Sequence, residues 1–259
     1  MQITSPGICI CYRIKHIIHL KLMNNKTQLR IVNDIIKFKE SKFDALYINF
    51  DKDNISKIYA MIIGPSNTPY FGGYFFFEIC FPDNYPYSPP KVKFLTINNK
   101  VRFNPNLYSN GKVCLSILGT WPGPKWEPVM TLTSVLLSIQ SLLSETPLRN
   151  EPGFTNINMN DIKSINYNNY IIYNTYELAI LNVLNKHFKV SKLFKNEIIQ
   201  NLNLNYNKLK NDILSYKEIL GKHLIHSLIY FSALELDFAL LCTNFLESTE
   251  KYISDDKME

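Results

Sequence analysis

The sequence predicts an α+β fold in which a four-stranded antiparallel meander is flanked by helices and followed by a helical C-terminal extension. Apolar residues recur at helical spacing before and after a block of short β-favouring runs, and turn-forming residues separate those runs. The composition changes beyond residue 155. A chain of 259 residues with 46% hydrophobic residues can form one domain of about 150 residues with a helical appendage.

The elements of the predicted domain follow in order along the chain. A first helix follows Thr27, a residue type that caps helices, and ends near Ser41. Four short runs of β-branched and aromatic residues then predict strands over 45–50, 57–63, 74–81 and 91–97. Prolines and glycines between residues 98 and 128 predict a loop without a long regular element. A buried central helix is predicted over 133–144, and the segment 147–153 ends it.

Beyond residue 155 the sequence predicts three amphipathic helices. In the second, six apolar residues between Leu202 and Leu220 alternate steps of four and three. In the third, seven apolar residues from Leu224 to Phe245 do much the same. The predicted division is an N-terminal extension over 1–24, a core domain over 25–155 and a helical extension over 156–259.

Bulk properties exclude several classes of function. The net charge of +6 is not gathered into Lys/Arg blocks, so we predict no nucleic-acid partner. No apolar run approaches the roughly 18 residues that span a bilayer, and residues 1–23 lack the pattern of a signal peptide, so no membrane association is predicted. The chain lacks a G-x-x-x-x-G-K-[ST] loop, and we expect it to bind neither ATP nor another cofactor.

Five cysteines form an odd, unevenly spaced set, which favours a reducing compartment over a disulfide framework. Four residues near the amino terminus have a spacing that could ligate zinc, namely Cys9, Cys11, His16 and His19. Their spacing is not that of a standard zinc finger and isoleucines lie between them, so a packed segment is favoured and no metal is predicted. Cys80 and Cys242 lie in apolar segments and are predicted to be core residues.

The segment around Cys114 carries the candidate chemistry. Asn106 precedes Cys114 by eight residues, and a Trp-x-Pro motif follows at 126–128. Three further motifs lie upstream in order, P-Y-F-G-G at 69–73, F-P-D-N-Y-P at 81–86 and P-P-K-V at 89–92. Together they resemble the signature and landmarks of ubiquitin-conjugating enzymes. Asn104, where most members have His, and the long loop at 119–125 resemble the large Z-type members of that family.

The resemblance implies the ubiquitin-conjugating (UBC) fold, with 25–155 as its catalytic core. It also implies an activity: Cys114 accepts ubiquitin or a ubiquitin-like protein from a ubiquitin-activating enzyme as a thioester and passes it to a lysine of a protein substrate, usually with a ubiquitin ligase. The chemistry of the residues agrees, since an accessible thiolate beside an open loop, with Lys112 nearby, can both attack and leave.

Two further residues receive roles from the resemblance. Asn106 either stabilises the oxyanion that forms when an amine attacks the thioester or braces the loop, and both roles stay open. Glu151 falls where the family has the acid that assists the attacking lysine, if one residue is inserted after Pro147; Asn150 is the alternative placement. A solvated loop acid is the simpler interpretation of Glu151.

The resemblance also assigns two partner surfaces. Tyr87, Pro128 and Val129 correspond to the apolar surface for ubiquitin ligases, and Trp126 is expected to anchor the core between the two loops. The first helix meets the activating enzyme in this family, and its basic residues here are Lys26, Arg30 and Lys37. A merely solvated helix face would explain the same charges.

Two rival functions belong to other classes. The first is a docking module that binds ubiquitin or a ligase without catalysis, against which the presence of Cys114 argues. The second is a cysteine hydrolase, but no His occurs between Leu20 and Lys186 to serve as its base. Free cysteines and the lack of targeting signals predict a cytoplasmic and nuclear location in a eukaryotic cell, or in the host cell if the protein is viral.

Overall fold

The computed structural model describes residues 26–50, 54–225, 229–230 and 233–258, with side chains as far as residue 254. The first part contains helix α1 (Lys26–Glu40) and strands β1 (Leu46–Phe50), β2 (Lys57–Ile63), β3 (Tyr74–Cys80) and β4 (Lys91–Phe94). Helix α2 (Leu132–Leu142) follows a long loop that holds only a 3-10 turn, Ser116–Leu118. The extension comprises α3 (Ile162–Asn174), a π-helical segment (Thr175–Leu181), α4 (Asn182–Leu184), a 3-10 segment (Lys189–Phe194), α5 (Lys195–Leu220), β5 (Lys222–Ile225), β6 (Leu234–Asp237) and α6 (Phe238–Met258).

The first four strands form an antiparallel sheet in the order β1-β2-β3-β4, which confirms the predicted meander. Because side chains alternate along a strand, Ile62 and its partner Phe75 face one side of the sheet, and Met61 and Phe76 face the other. On the first side, the Phe75 ring meets the ring of Phe103 edge-on at 5.2 Å between centroids. This side belongs to the core that also contains the buried apolar residues of α2.

The C-terminal extension covers the other side of the sheet around β3. The Phe76 ring stacks on Phe194 with 5.9 Å between centroids and lies 6.4 Å from the Phe188 ring. The Tyr74 hydroxyl donates to the carbonyl of Ile198 at 3.2 Å. Both faces of this part of β3 are therefore buried, which explains why its sequence is continuously aromatic instead of alternating.

Helix α1 is held to the rest of the domain by a buried carboxylate. Asp34 accepts hydrogen bonds from Arg30 Nε (2.9 Å), from the Tyr85 hydroxyl and from the backbone N–H of Leu132 (3.3 Å). It thereby joins α1 to the 82–86 turn and to the start of α2, and its charge is matched by Arg30. Leu29, one of the apolar residues that predicted the helix, is 49% exposed, because the buried stripe runs through residues 31, 32, 35 and 38 instead.

The prediction of a third helix in the extension is wrong for its first half, which contains two strands instead. Gly221 has φ +51° at the end of α5 and reverses the chain, and β5 and β6 then pair as an antiparallel hairpin. Ile225 and Leu236 are buried, whereas Leu224 is 48% exposed. The alternation of a strand and the spacing of a helix both fit this short apolar pattern, so the pattern alone does not separate the two.

Helix α3 packs directly on the core domain. The backbone N–H of Arg102 donates to the Tyr170 hydroxyl at 3.1 Å, and Tyr167 and Ile171 are fully buried. Burial, which outweighs that hydrogen bond, raises the pKa of Tyr170 to about 12. The division at residue 155 stays a prediction, and the structure shows close packing across it.

The cysteines of the described residues are unpaired, namely Cys80, Cys114 and Cys242. Cys242 is 1% exposed, as predicted for a core residue. Cys80 is only half-buried, because it shares the outer face of β3 with Glu78 beyond the part that the extension covers. The candidate zinc ligands near the amino terminus lie outside the described residues. Within the described ranges, no group of three His, Cys, Asp or Glu side chains is placed to hold a metal ion, and no helix is long and apolar enough to cross a membrane.

Candidate active site

The loop that carries Cys114 turns at Gly111. Its φ is +91°, and the Cβ atom of any other residue would lie only 2.8 Å from the Phe94 carbonyl oxygen, so only glycine fits. The turn is closed by hydrogen bonds from the Gly111 N–H to the Tyr108 carbonyl and from the Tyr108 N–H to the Lys112 carbonyl, each 3.0 Å. The turn brings the segments before and after it side by side.

Asn106 and Cys114 face each other across this turn and exchange two hydrogen bonds. The Cys114 N–H donates to the Asn106 carbonyl at 2.9 Å, and Asn106 Nδ2 donates to the Cys114 carbonyl at 2.7 Å. The structure therefore brings together the two residues that the sequence singled out. In this arrangement the Asn106 amide braces the backbone of Cys114.

Thr120 holds the same backbone from the other side, and sequence reasoning did not find it. Its hydroxyl donates to the Val113 carbonyl at 2.7 Å and accepts from the Leu115 N–H at 3.0 Å. The Thr120 N–H also donates to the Leu115 carbonyl at 3.2 Å. The residues before and after Cys114 are thus tied to one side chain of the long loop. A threonine between glycine and tryptophan carries no sequence signal of such a contact.

Cys114 is 1% exposed, which contradicts the expected accessible thiol. The expectation rested on the open character of the loop sequence, whereas the backbone on both sides of the residue is held inward by Asn106 and Thr120. Lys112, expected near the thiol, instead places its ammonium group 5.6 Å from the centre of the Tyr108 ring. Reaction at the sulfur therefore requires a local movement of the segment.

Asn104, which stands where the family signature has histidine, forms hydrogen bonds through both ends of its side-chain amide. Its Nδ2 donates to the Leu142 carbonyl at 2.8 Å and to the Tyr70 hydroxyl at 3.0 Å. Its Oδ1 accepts from the Asn106 N–H at 2.9 Å and from Asn150 Nδ2 at 3.3 Å. An amide with two donor hydrogens and one acceptor oxygen joins the loop to the end of α2, so Asn104 holds the loop in place.

Glu151 lies at the edge of this network and is engaged by two side chains. The Tyr230 hydroxyl donates to Glu151 Oε2 at 2.5 Å, and Arg102 Nη2 lies 3.9 Å from the same oxygen. The Glu151 side chain is 22% exposed. It is a partly buried, hydrogen-bonded acid, which disagrees with the interpretation as a solvated loop acid. Asn150, the alternative placement, points its amide into the Asn104 network.

Arg102 connects Glu151 with the loop that carries Asn106 and Cys114. Its guanidinium lies between two aromatic rings, 3.9 Å from the centre of Tyr108 and 4.3 Å from that of Tyr230. Arg102 Nη2 also donates to the Pro105 carbonyl at 2.5 Å, immediately before Asn106. A planar guanidinium suits such a position because it stacks on rings and donates in its own plane.

The predicted ligase surface is exposed. Tyr87 is 79% exposed and Val129 82% exposed, and Pro128 is exposed beside it. Trp126 lies between the two loops, as expected for an anchor, since its Nε1–H donates to the Pro86 carbonyl at 2.7 Å and its ring contacts Tyr85 at 5.9 Å.

The basic residues of α1 differ in what they offer to a partner. Lys26 and Lys37 are exposed. Arg30 is bound within the protein, because its Nη1 and Nη2 donate to the carbonyls of Pro128 and Met130 at 3.0 and 2.7 Å. Arg30 is therefore not a free surface charge, and its assignment to a surface for the activating enzyme stays a prediction. Its guanidinium instead joins α1 to the loop that contains Pro128 and Met130.

A histidine base for a hydrolase is not in place among the described residues. His187 pairs with Asn182 through its Nδ1 at 3.0 Å, and His223 lies in β5, opposite Leu236. His226 lies outside the described residues. Both hydrogen bonds at the Cys114 backbone are formed with Asn106, whose amide cannot act as a base.

The fold and the paired Asn106 and Cys114 define a protein of the ubiquitin-conjugating class. The sequence model of the family described as ubiquitin-conjugating enzyme matches residues 30–171 of this chain. The match spans more than half of the chain, so the chain belongs to the ubiquitin-conjugating enzyme family. The predicted α+β UBC fold with a helical extension is thereby confirmed.

Particular relatives support the resemblance to Z-type members. The chain is 48% identical over 162 residues to ubiquitin-conjugating enzyme E2 Z of Xenopus tropicalis, which covers 62% of this chain and 51% of that protein. It is 47% identical over 157 residues to ubiquitin-conjugating enzyme E2 Z of Homo sapiens, which covers 60% and 44%. The chain thus spans about half the length of these relatives. The solved structure of human ubiquitin-conjugating enzyme E2 G1 is similar over 47% of this chain and 97% of that chain, with 29% identity and a TM-score of 0.41.

Proposed function

We propose that this chain is a ubiquitin-conjugating enzyme that carries ubiquitin or a ubiquitin-like protein as a thioester on Cys114. Membership of the family supports the proposal. The observation that carries it is the pair of hydrogen bonds that joins Asn106 and Cys114 in the signature segment.

Two transfers of one acyl group make up the activity. In charging, the Cys114 thiolate attacks a thioester on an activating enzyme, a C–S bond to Cys114 forms and the thiolate of the activating enzyme leaves. In discharge, a lysine amine of a protein substrate attacks the new thioester. The N–C bond forms, the C–S bond breaks with its electron pair going to Cys114, and the proton of the amine passes to an acceptor.

Asn106 serves this chemistry by position. Its amide supports the Cys114 backbone in the structure, which favours the bracing role. Negative charge grows on the thioester oxygen when the amine attacks. The same amide lies beside Cys114, which carries the thioester, so it can also stabilise that charge once the segment moves. Glu151 is proposed as the acid that receives a hydrogen bond from the attacking amine.

The exposure of several side chains supports the proposed partner surfaces. Tyr87, Pro128 and Val129 form an apolar patch for a ligase, and Lys26 and Lys37 present positive charge on α1 to an acidic surface of an activating enzyme. We propose the cytoplasm and nucleus as the location, because the cysteines of the described residues are unpaired.

A thioester assay tests the proposed function. The full chain is incubated with ATP, ubiquitin or a ubiquitin-like protein, and each of several activating enzymes, and the products are separated without reductant. We expect an adduct that dithiothreitol removes and that Cys114→Ala abolishes. Cys242→Ala is the matched control, because it removes a buried thiol in α6, and it should retain the adduct. If the wild-type chain stays uncharged while another conjugating enzyme is charged in parallel, the docking-module function replaces this proposal.

A further inference from the structure

Tyr230 reaches the candidate active site from the C-terminal extension. It belongs to the connection between β5 and β6. Three contacts fix its position on the core domain: its hydroxyl bonds to Glu151 at 2.5 Å, its ring lies 4.3 Å from the Arg102 guanidinium, and its ring meets that of Tyr167 edge-on at 6.3 Å. A residue about 80 positions away in sequence thus completes the surroundings of Glu151.

Two short paths connect Glu151 with the nucleophile. On one, Arg102 contacts Glu151 and donates to the Pro105 carbonyl, next to Asn106. On the other, Asn150 donates to Asn104, whose oxygen accepts the Asn106 N–H. Asn106 in turn holds Cys114. The carboxylate is therefore part of the same polar network as the thiol-bearing segment.

The Tyr230 hydroxyl acts as a donor. Burial, together with the hydrogen bond to Glu151, raises the pKa of Tyr230 well above its usual range, so the phenol stays protonated under physiological conditions. One carboxylate oxygen is thus occupied by Tyr230 and faces Arg102, and the carboxylate cannot rotate freely. An acid that must meet an incoming amine gains from such fixed orientation.

We propose that Tyr230 is a positioning residue for the transfer to lysine: it holds the Glu151 carboxylate in the orientation that receives the attacking amine. This inference rests on the proposed function. The contact gives the C-terminal extension a direct part in discharge. Among the described residues, Arg102 is the charged group within contact distance of Glu151. Tyr230 and Arg102 therefore set the position of the carboxylate together.

Single-turnover discharge in the full chain tests the proposal. Wild type and variants are charged, the thioester is isolated, and its loss to free lysine is followed at saturating and limiting lysine concentrations. Tyr230→Phe keeps the ring that stacks on Arg102 and removes only the hydroxyl. We expect a fall of about tenfold in the discharge rate, less than the roughly hundredfold or more that a positioned acid or base itself supplies, because Tyr230 only orients the carboxylate. Tyr176→Phe is the matched control, because it removes a buried hydroxyl bonded to the Leu209 carbonyl inside the extension, and it should discharge at the wild-type rate.

A double-mutant cycle separates positioning from a structural role. If Tyr230 acts through Glu151, Tyr230→Phe should change the discharge rate by less than about twofold in a Glu151→Gln background. The proposal is overturned if Tyr230→Phe alone discharges like wild type, or if the two changes multiply. Charging distinguishes this failure from that of the proposed function: a wild-type chain that cannot be charged overturns both, whereas normal charging with normal Tyr230→Phe discharge overturns the positioning role only.

Discussion

Two side chains support the backbone at Cys114. Asn106 forms a hydrogen bond with Cys114 itself, and Thr120 forms hydrogen bonds with the residues on either side. These contacts are short, and they hold a thiol that is 1% exposed. In the proposed function, the Cys114 sulfur must become accessible for charging, and the thioester must then lie in a defined place for discharge. The strength of this support therefore matters for the rate as well as for stability.

Thr120→Val should slow charging, whereas Thr120→Ser, which keeps the hydroxyl, should be charged at about the wild-type rate. Valine keeps the shape but loses the hydroxyl bonds to Val113 and Leu115, which costs about 0.5–1.5 kcal/mol of stability. A misplaced nucleophile should lower the charging rate by about tenfold to a hundredfold. The measurement is the initial rate of thioester formation, with thermal melting as the check on folding. Equal charging rates for the valine and serine variants would contradict the positioning role of Thr120.

The motif spacing singled out Cys114 and Asn106 from the sequence, whereas Glu151 was placed only by allowing one inserted residue after Pro147, with Asn150 as the alternative. Thr120 and Tyr230 could not be found this way. Thr120 acts through a loop whose course depends on several glycines and prolines, and Tyr230 is brought to Glu151 only by the folding of the extension. The burial of Cys114 was missed for the same reason, since it results from contacts outside its own segment.

At the scale of elements, the hairpin of β5 and β6 and the start of α6 form one unit. Asp237 closes it: its carboxylate accepts from the Leu240 N–H at 2.9 Å in the first turn of α6 and lies 3.4 Å from the ammonium group of Lys222. The backbone hydrogen bond is the main cause that lowers the pKa of Asp237 below its ordinary value, and Lys222 adds to it.

Asp237→Ala should lower the melting temperature at neutral pH and have little effect in acid. Because the folded-state pKa is lowered, the carboxylate contributes stability above its unfolded pKa of about 4, and this contribution disappears as the pH falls through the folded value. Melting temperatures of wild type and variant between pH 7 and pH 2 provide the measurement. Asp237→Asn is the control, since asparagine can cap the helix at every pH. A difference between wild type and Asp237→Ala that persists undiminished at pH 2 would contradict this account.

The helices and strands of the core domain were predictable because each has a long or clear pattern of its own. Helix α2 and the four-stranded sheet correspond to the predicted segments within a few residues. The hairpin was not predictable, because seven apolar residues from Leu224 to Phe245 fit a helix as well as two short strands. Gly221 ends α5, and the pairing of Leu224 with Glu235 then depends on a turn that propensity does not encode.

At the scale of the whole molecule, the extension and the core domain share one hydrophobic core. Phe194 stacks on Phe76 of β3. Leu209 of α5 lies against Gly72, so closely that a Cβ atom at position 72 would be 2.7 Å from the Leu209 side chain. The π-helical segment adds Thr175, whose hydroxyl donates to the Pro69 carbonyl at 3.1 Å. We therefore expect the two parts to unfold together.

Phe194→Ala should lower the free energy of unfolding by about 3–5 kcal/mol, because it leaves a cavity between the sheet and the extension. Leu204→Ala is the matched control on α5, and since Leu204 is 81% exposed its effect should stay within about 0.5 kcal/mol. Urea denaturation followed by fluorescence and by circular dichroism measures both. Two separate transitions, with the core domain unaffected by Phe194→Ala, would show that the extension folds independently.

The covering of β3 by the extension has a consequence during synthesis. Tyr74 and Phe76 leave the ribosome more than 100 residues before Phe188, Phe194 and Ile198, which cover them in the finished protein. At usual rates of translation the nascent chain carries this uncovered aromatic surface for roughly ten seconds. We therefore expect the yield of the protein in a cell to depend on chaperones that occupy this surface until the last third of the chain arrives.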